Sequence, residues 1–130
     1  MLDKATVTAN IPAADLTRAR AFYGEKLGLT PVQEMEGVML LYRTAGGSTF
    51  SVYQTEFAGQ AGHTIAQWHV DDVDATVRDL KGKGVVFEHY DLPGVTWDDD
   101  VASMGGVGKA AWFKDSESNI LCVDDGFPDA

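Results

Sequence analysis

The chain has 130 residues, of which 45% are hydrophobic and 23% charged, and this composition predicts one folded domain over residues 1–130. Its 20 acidic residues outnumber the 10 basic ones, so the net charge of −10 argues against nucleic acid and membrane surfaces as partners. A single cysteine excludes an internal disulfide, and no apolar stretch is long enough for a signal peptide or a membrane span. We therefore expect a cytoplasmic protein.

The first half of the chain predicts a strand, a helix and three strands. Residues 6–11 alternate between polar and apolar, which is typical of a strand with one buried face, and Pro12 ends it. An apolar repeat of helical spacing begins after Asp15, a suitable capping residue, and stops at Gly28. Three short strands separated by glycine turns follow, at 31–34, 38–43 and 49–54.

The second half repeats this order. A strand at 64–70 precedes Asp72, which caps a helix ending at Gly84, and residues 94–108 are predicted to be a long loop. Three further strands are predicted at 85–89, 110–113 and 120–123. The repeat, about 4–58 and 61–126, is most simply explained by an internal duplication.

This order predicts an α+β fold in which two βαβββ modules form a curved, mixed eight-stranded sheet around a cleft. Each helix covers one face of its strands, so the other face is left open. Because side chains alternate across a strand, Trp68 is expected to face the helix. The residues of opposite parity then face the cleft: Ile65, Gln67 and His69.

Several segments resemble the vicinal-oxygen-chelate superfamily, which includes glyoxalase I, extradiol dioxygenases, fosfomycin-modifying enzymes and bleomycin-binding proteins. They are IPAADL at 11–16, AFY at 21–23, LGL at 27–29, HVDDVD at 69–74 and AWFKDSESN at 111–119. Their order and spacing span almost the whole chain. The resemblance implies paired βαβββ modules and a homodimer.

Enzymes of this superfamily usually hold one divalent metal with His, Gln or Glu side chains from four strands. The resemblance places these ligands at Thr8, at Ser51 or Tyr53, at Ile65 and at Cys122. At most one of these is a plausible donor, whereas a metal such as zinc needs three or more strong ligands. We therefore expect no metal and no other cofactor.

Three residues in or near the cleft allow more than one interpretation. Cys122 is either a nucleophile activated by a nearby cation or a buried, inert thiol. His69 either contacts the ligand, with a possible role as a general base, or is a solvated residue at a strand end. Trp97, on the predicted loop, is a candidate to fold over the cleft and stack on a flat ligand.

The first hypothesis is therefore a metal-free, bleomycin-resistance-like protein that binds an aromatic or heterocyclic molecule. The residues predicted to line its cleft are Thr8, Asn10, Ser51, Tyr53, Ile65, Gln67, His69 and Cys122, with Trp97 above. The alternatives are a glyoxalase-like lyase or dioxygenase with divergent metal ligands, a metal-free enzyme using His69 or Cys122, and a dimeric scaffold with a vestigial cleft. The cleft lies either within one chain or across a dimer.

Overall fold

The computed structural model describes residues 1–106 and 108–126. After a 3-10 turn at Leu2–Lys4, the first half contains β1 (Ala9–Ala13), α1 (Leu16–Glu25), β2 (Gln33–Met35), β3 (Met39–Arg43) and β4 (Thr49–Gln54). The second half contains β5 (Thr64–His69), α2 (Val73–Gly82), β6 (Phe87–Glu88), β7 (Thr96–Asp98), β8 (Val101–Ser103), β9 (Lys109–Lys114) and β10 (Ile120–Asp124). The predicted α+β class is confirmed.

Both helices begin at the predicted capping residues. The Asp15 carboxylate accepts a hydrogen bond from the backbone N–H of Arg18 at 3.0 Å, and the Asp72 carboxylate accepts one from Ala75 at 3.0 Å. Each bond satisfies a donor that the first helical turn leaves without a partner. Neither helix among the described residues has the length and apolar character that crossing a membrane requires.

The strands form two sheets with related orders. The first sheet has the order β1-β4-β3-β2, and the second has β5-β10-β9-β8-β7 with β6 also paired to β9. β1 is parallel to β4, and β5 is parallel to β10. The described residues thus form ten strands in two sheets, where eight in one sheet were predicted. As a result, β1 and β5 are both edge strands.

Two predictions of local structure are wrong. The predicted loop at 94–108 contains the β7–β8 hairpin, which turns through Asp99 at a φ of 54°. The first strand continues through Pro12 to Ala13, pairing Pro12 with Tyr53. Proline is tolerated there because β1 is an edge strand and needs hydrogen bonds on only one side.

The helices cover one face of each sheet. α1 packs on β3 and β4, and α2 packs on β8, β9 and β10. The buried apolar side chains of both halves form one cluster, which includes Ile11, Tyr23, Leu40, Tyr42, Val52, Val73, Phe113 and Leu121. We call the opposite, helix-free faces the first and second open faces. Asn10, Ser51 and Tyr53 lie on the first; Gln67, His69, Trp112, Cys122 and Asp124 lie on the second.

The turn between β9 and β10 joins the two halves. The Tyr23 hydroxyl donates to the buried Asp115 carboxylate at 2.7 Å, and the Asn119 amide donates to the carbonyl of Pro12 at 2.8 Å. Asn119 also donates to Asp115 at 2.9 Å. Because these buried groups satisfy one another, the turn fixes β10 relative to β1 and α1.

Candidate functional site

A groove of about 520 Å³ runs along β5. One wall is residues 65–69 of β5, and the other is Ala9 together with the β3–β4 turn. The lining residues are Ala9, Thr44, Ala45, Gly46, Ser48, Thr49, Phe50, Ile65, Ala66, Gln67, Trp68 and His69. Three of the predicted site residues, Ile65, Gln67 and His69, therefore lie together in this groove.

The side chains of β5 alternate as the sequence predicted. Gln67 is aligned with Cys122 of the parallel neighbour β10, so it faces the second open face, whereas Trp68 is aligned with Val123 of the core. The Trp68 ring meets Phe50 edge-on, with ring centroids 5.7 Å apart. This contact connects the walls of the groove at its apolar side.

Ile65 occupies a β-bulge. Ile120 pairs with Thr64 and Leu121 pairs with Ala66, so Ile65 is an extra residue on its strand. It lines the groove and also packs against the core cluster. The bulge therefore gives the groove an apolar side chain near the start of β5.

A buried carboxylate lies beneath the polar residues of the groove. Asp124 is 1% exposed, and its Oδ2 accepts hydrogen bonds from Gln67 Nε2 at 2.6 Å and from His69 Nδ1 at 3.0 Å. Its Oδ1 accepts one from the backbone N–H of Gly126 at 3.0 Å. These bonds offset the cost of burying the charge.

Asp124 was not among the predicted site residues, because the last strand was predicted to end at Val123 and it extends to Asp124. The alternation of side chains along a strand could have identified it, because Asp124 follows Cys122 by two residues and therefore lies on the same face. A carboxylate at that position needs buried donors, which Gln67 and His69 supply. Those partners are more than fifty residues away along the chain, so the signal did not identify them.

Cys122 is inaccessible from the groove. It is 3% exposed and aligned between Gln67 and Trp112 on the neighbouring strands. Burial, with the negative charge of Asp124 adding to it, raises the pKa of the Cys122 thiol to about 12. The thiol is therefore protonated at neutral pH, and this favours the inert interpretation over the nucleophile.

The predicted residues of the first half form a separate group. The Thr8 hydroxyl lies 3.0 Å from that of Thr49, a groove residue. The buried Ser51 donates to Asn10 Oδ1 at 2.5 Å, and Tyr53 is 39% exposed on the first open face. The side-chain hydrogen bonds of Thr8 with Thr49 and of Ser51 with Asn10 lie within the first half of the chain.

Trp97 belongs to an aromatic cluster on the second open face. The prediction that it lies on a loop is wrong, because it is part of strand β7. Its ring stacks on His89 with centroids 4.3 Å apart and 6° between the planes, and it contacts Trp112 at 6.0 Å. Trp112 in turn meets Tyr90 edge-on at 6.0 Å. His89 Nε2 is held 2.8 Å from an Asp100 oxygen. Strand β7 thus fixes Trp97 away from the groove lining.

The residues at the four expected metal-ligand positions do not fit a divalent cation. They supply the hydroxyl of Thr8, a hydroxyl of Ser51 or Tyr53, the alkyl chain of Ile65 and the protonated thiol of Cys122. Among the described residues, no three His, Cys, Asp or Glu side chains are grouped so that they could hold a metal. Hydroxyl, alkyl and thiol groups make a poor ligand set for such an ion.

Comparisons with known proteins identify a family with which the chain shares sequence features. A model of the Glyoxalase/Bleomycin resistance protein/Dioxygenase superfamily matches residues 5–121. No curated protein sequence matches the chain significantly.

Three similar solved structures illustrate the range of these proteins. TnmS3, an antibiotic binding protein from Streptomyces sp., is 21% identical with a TM-score of 0.64, covering 95% of this chain and 97% of its own. A lactoylglutathione lyase from Agrobacterium tumefaciens is 18% identical with a TM-score of 0.69, covering 98% and 97%. The fosfomycin resistance protein FosX from Listeria monocytogenes, complexed with Mn(II), is 16% identical with a TM-score of 0.67, covering 95% and 90%. At these identities the likeness shows the fold alone.

Proposed function

Because the chain belongs to the Glyoxalase/Bleomycin resistance protein/Dioxygenase superfamily, we propose that it is a binding protein for an aromatic or heterocyclic small molecule. The ligand occupies the groove along β5, and no resident metal takes part. TnmS3, described as antibiotic binding, is a precedent for such a protein on this fold.

The observation that carries the proposal is the mixed lining of the groove. Phe50, Ile65 and Trp68 supply apolar and aromatic surface, while Gln67 and His69 supply polar groups held from beneath by hydrogen bonds. Sites for small organic molecules combine mostly apolar walls with a few oriented polar groups in this way.

The donor chemistry supports binding without a metal. A metalloenzyme of this family needs strong ligands on four strands, and Ile65 offers no donor atom at one of those positions. The thiol of Cys122 is protonated and buried at another. Binding of a small molecule in the groove does not require either residue to coordinate a metal.

We also propose that the protein is a cytoplasmic homodimer. Met35, Val38 and Tyr53 expose large apolar side chains on or beside the first sheet. Exposed apolar patches commonly mark protein interfaces, and a second copy would remove these side chains from water. A native mass measurement separates a dimer from a monomer.

Two measurements test the binding proposal. Protein purified without added metal is expected to contain no stoichiometric metal by mass spectrometry. A panel of planar heterocycles and glycopeptide antibiotics is then titrated while tryptophan fluorescence is recorded, with and without a chelator. One tightly bound transition metal per chain, with chelator-sensitive activity, would establish a metalloenzyme instead.

A pair of variants locates the ligand. Ile65→Gln is expected to weaken binding roughly ten-fold, because it replaces apolar contact surface with a polar group. Val86→Gln is the matched control, since Val86 is exposed and lies outside the groove. Equal effects of the two substitutions on binding would show that the ligand does not bind in the groove.

The His69–Asp124 pair favours a second candidate, a metal-free enzyme. A carboxylate that holds Nδ1 of an imidazole positions the ring as a general base. Incubating a bound ligand with the protein and analysing it by mass spectrometry distinguishes the candidates. Turnover that His69→Gln abolishes, with binding retained, would show catalysis, whereas an unchanged ligand supports binding alone.

A further inference from the structure

We infer that Trp68 limits how deeply a ligand enters the groove, because its indole ring lies between the groove and a second, apolar pocket on the helix side of the second sheet. This inference rests on the proposed function and names the residue that determines the size of the ligand. A compact planar molecule packs against the indole, and a longer one does not pass it.

The second pocket, which we call the helix-side pocket, has a volume of about 140 Å³. Leu27 and Leu29 line it just after α1, Leu80 lines it from α2, and Phe113 and Val123 line it from the core of the second sheet. An apolar cavity of about 150 Å³ is large enough to bind one benzene molecule. The helix-side pocket therefore has room for one further ring beyond the groove.

The lining of the helix-side pocket favours an uncharged, apolar group. Thr76 is the one polar residue among the described residues that line it, and its hydroxyl donates to the backbone carbonyl of Asp72 at 2.9 Å. The helix therefore already uses the hydrogen of that hydroxyl. A polar or charged substituent would lose its hydrogen bonds with water there without gaining replacements.

The order of residues along β5 places Trp68 between the two cavities. Ala66, Trp68 and Val70 are two positions apart, so they lie on one side of the strand. The pairing with β10 continues to Val70, whose N–H donates to the carbonyl of Asp124 at 2.8 Å. Ala66 lines the groove, Val70 lines the helix-side pocket, and Trp68 lines both. The cavities thus follow one another along the strand, with the indole between them.

The indole also bridges the two sheets. β5 is an edge strand of the second sheet, and the ring of Trp68 meets that of Phe50, on β4 of the first sheet, edge-on with centroids 5.7 Å apart. Phe50 lines the groove and is 8% exposed. This aromatic contact therefore closes the space between the sheets where the groove meets the helix-side pocket.

Removing the indole is expected to join the two cavities. Truncation of a large side chain leaves a cavity, because the surrounding structure relaxes only partly. In Trp68→Ala the space vacated by the ring lies between the groove and the helix-side pocket, so a ligand can extend from one into the other. An additional ring then packs against Leu80 and Val123, and its apolar surface is removed from water.

The test compares quinoline with 6-phenylquinoline, which carries one further ring. Affinity is measured by calorimetry at neutral pH, and the position of the ligand is followed through the NMR methyl signals of Leu80 and Val123 in the helix-side pocket. In the wild type, we expect the phenyl group to change the affinity by less than about three-fold and to leave both methyl signals in place. In Trp68→Ala, we expect the ratio of the two affinities to rise roughly ten-fold in favour of 6-phenylquinoline, with shifts of both signals.

Two further variants assign this effect to the indole and to the helix-side pocket. Trp112→Ala is the matched control, since Trp112 is also a partly buried strand tryptophan but lines neither cavity, and it should leave the ratio unchanged. Adding Thr76→Leu to Trp68→Ala fills part of the helix-side pocket and should lower the gained ratio about three-fold. A cooperative thermal unfolding transition shows that each variant folds, and Trp68→Leu replaces Trp68→Ala if the latter does not.

The outcomes separate this inference from the proposed function. Shifts of the Leu80 and Val123 signals in the wild type would show that the indole does not separate the cavities. An unchanged ratio in Trp68→Ala, or an equal rise in Trp112→Ala, would overturn the role of Trp68, while binding of quinoline to the wild type leaves groove binding standing. If quinoline binds neither the wild type nor the variants, the inference fails together with the proposed function.

Discussion

Arg18 and Glu117 form a two-pronged ion pair that joins the first helix to the β9–β10 turn. Arg18 Nε lies 2.7 Å from Oε2 of Glu117, and Nη2 lies 2.9 Å from Oε1. The Glu117 side chain is fully buried, and Oε1 also accepts from the backbone N–H groups of Ala14 and Asp15. One carboxylate thus fixes the start of α1 relative to the second half of the chain.

Replacing Glu117 is expected to destabilise the fold. Glu117→Gln removes the charge from several hydrogen bonds in a buried position, and we expect a loss of about 2 kcal/mol in the free energy of unfolding. Urea denaturation measures it. Glu34→Gln, which breaks the exposed pair with Arg20, is the control and should change stability by less than about 0.5 kcal/mol. Equal losses in the two variants would contradict the role given to Glu117.

The same carboxylate predicts a loss of stability in acid. Burial opposes its ionisation, but hydrogen bonds from Arg18, Ser116 and the Asp15 backbone outweigh burial and lower the pKa of Glu117 from 4.5 to about 2. A group whose folded pKa is depressed stabilises the fold above its unfolded pKa, and that contribution is lost as the pH falls towards the folded pKa.

We therefore expect the stability difference between wild type and Glu117→Gln to be full above about pH 5 and to shrink as the pH falls towards 2. Urea denaturation of both proteins at several pH values checks this. A difference that stays constant between neutral pH and pH 3 would show that the charge of Glu117 does not contribute to stability.

Two neighbouring tyrosines should respond in opposite ways to loss of their hydroxyl groups. Tyr23 donates to the buried Asp115, whereas the buried Tyr42 hydroxyl has no hydrogen-bond partner among the described residues. Tyr23→Phe is expected to destabilise the protein by about 1.5 kcal/mol, because it leaves Asp115 with fewer donors. Tyr42→Phe is expected to be neutral or to stabilise by up to about 1 kcal/mol, since it removes an unsatisfied polar group.

The two variants serve as mutual controls, because their rings pack together with centroids 5.8 Å apart. Thermal and urea denaturation of both give the comparison. A destabilised Tyr42→Phe would mean that its hydroxyl makes a hydrogen bond, with bound water for example, that the protein atoms do not provide.

The elements that could be predicted from the sequence are those whose signals are local. Asp15 and Asp72 cap their helices through bonds to residues three positions ahead, so the pattern alone predicted both starts. The alternation along β5 likewise placed Gln67 and His69 on one face. These signals are contained within one element and do not depend on the tertiary structure.

The errors arose where distant residues decide the structure. The β7–β8 hairpin has strands of only three residues, joined by Asp99 and Asp100, and its sequence favours a loop. Pairing of β8 with β9 and ion pairs from Lys81 to Asp99 and Asp100 hold it as a hairpin. The role of Asp124 was missed for the same reason, since its partners lie on another strand.

The last prediction concerns Cys122, because the reactivity of its thiol reports whether solvent reaches it on the second open face. A thiol that is 3% exposed with a pKa of about 12 should react with a thiol reagent only when the protein unfolds. Labelling with Ellman's reagent at neutral pH is therefore expected to be at least about a hundred-fold slower in the native protein than in urea. Rapid native labelling would show an accessible thiolate, which would restore Cys122 as a candidate nucleophile and put the metal-free enzyme ahead of the binding protein.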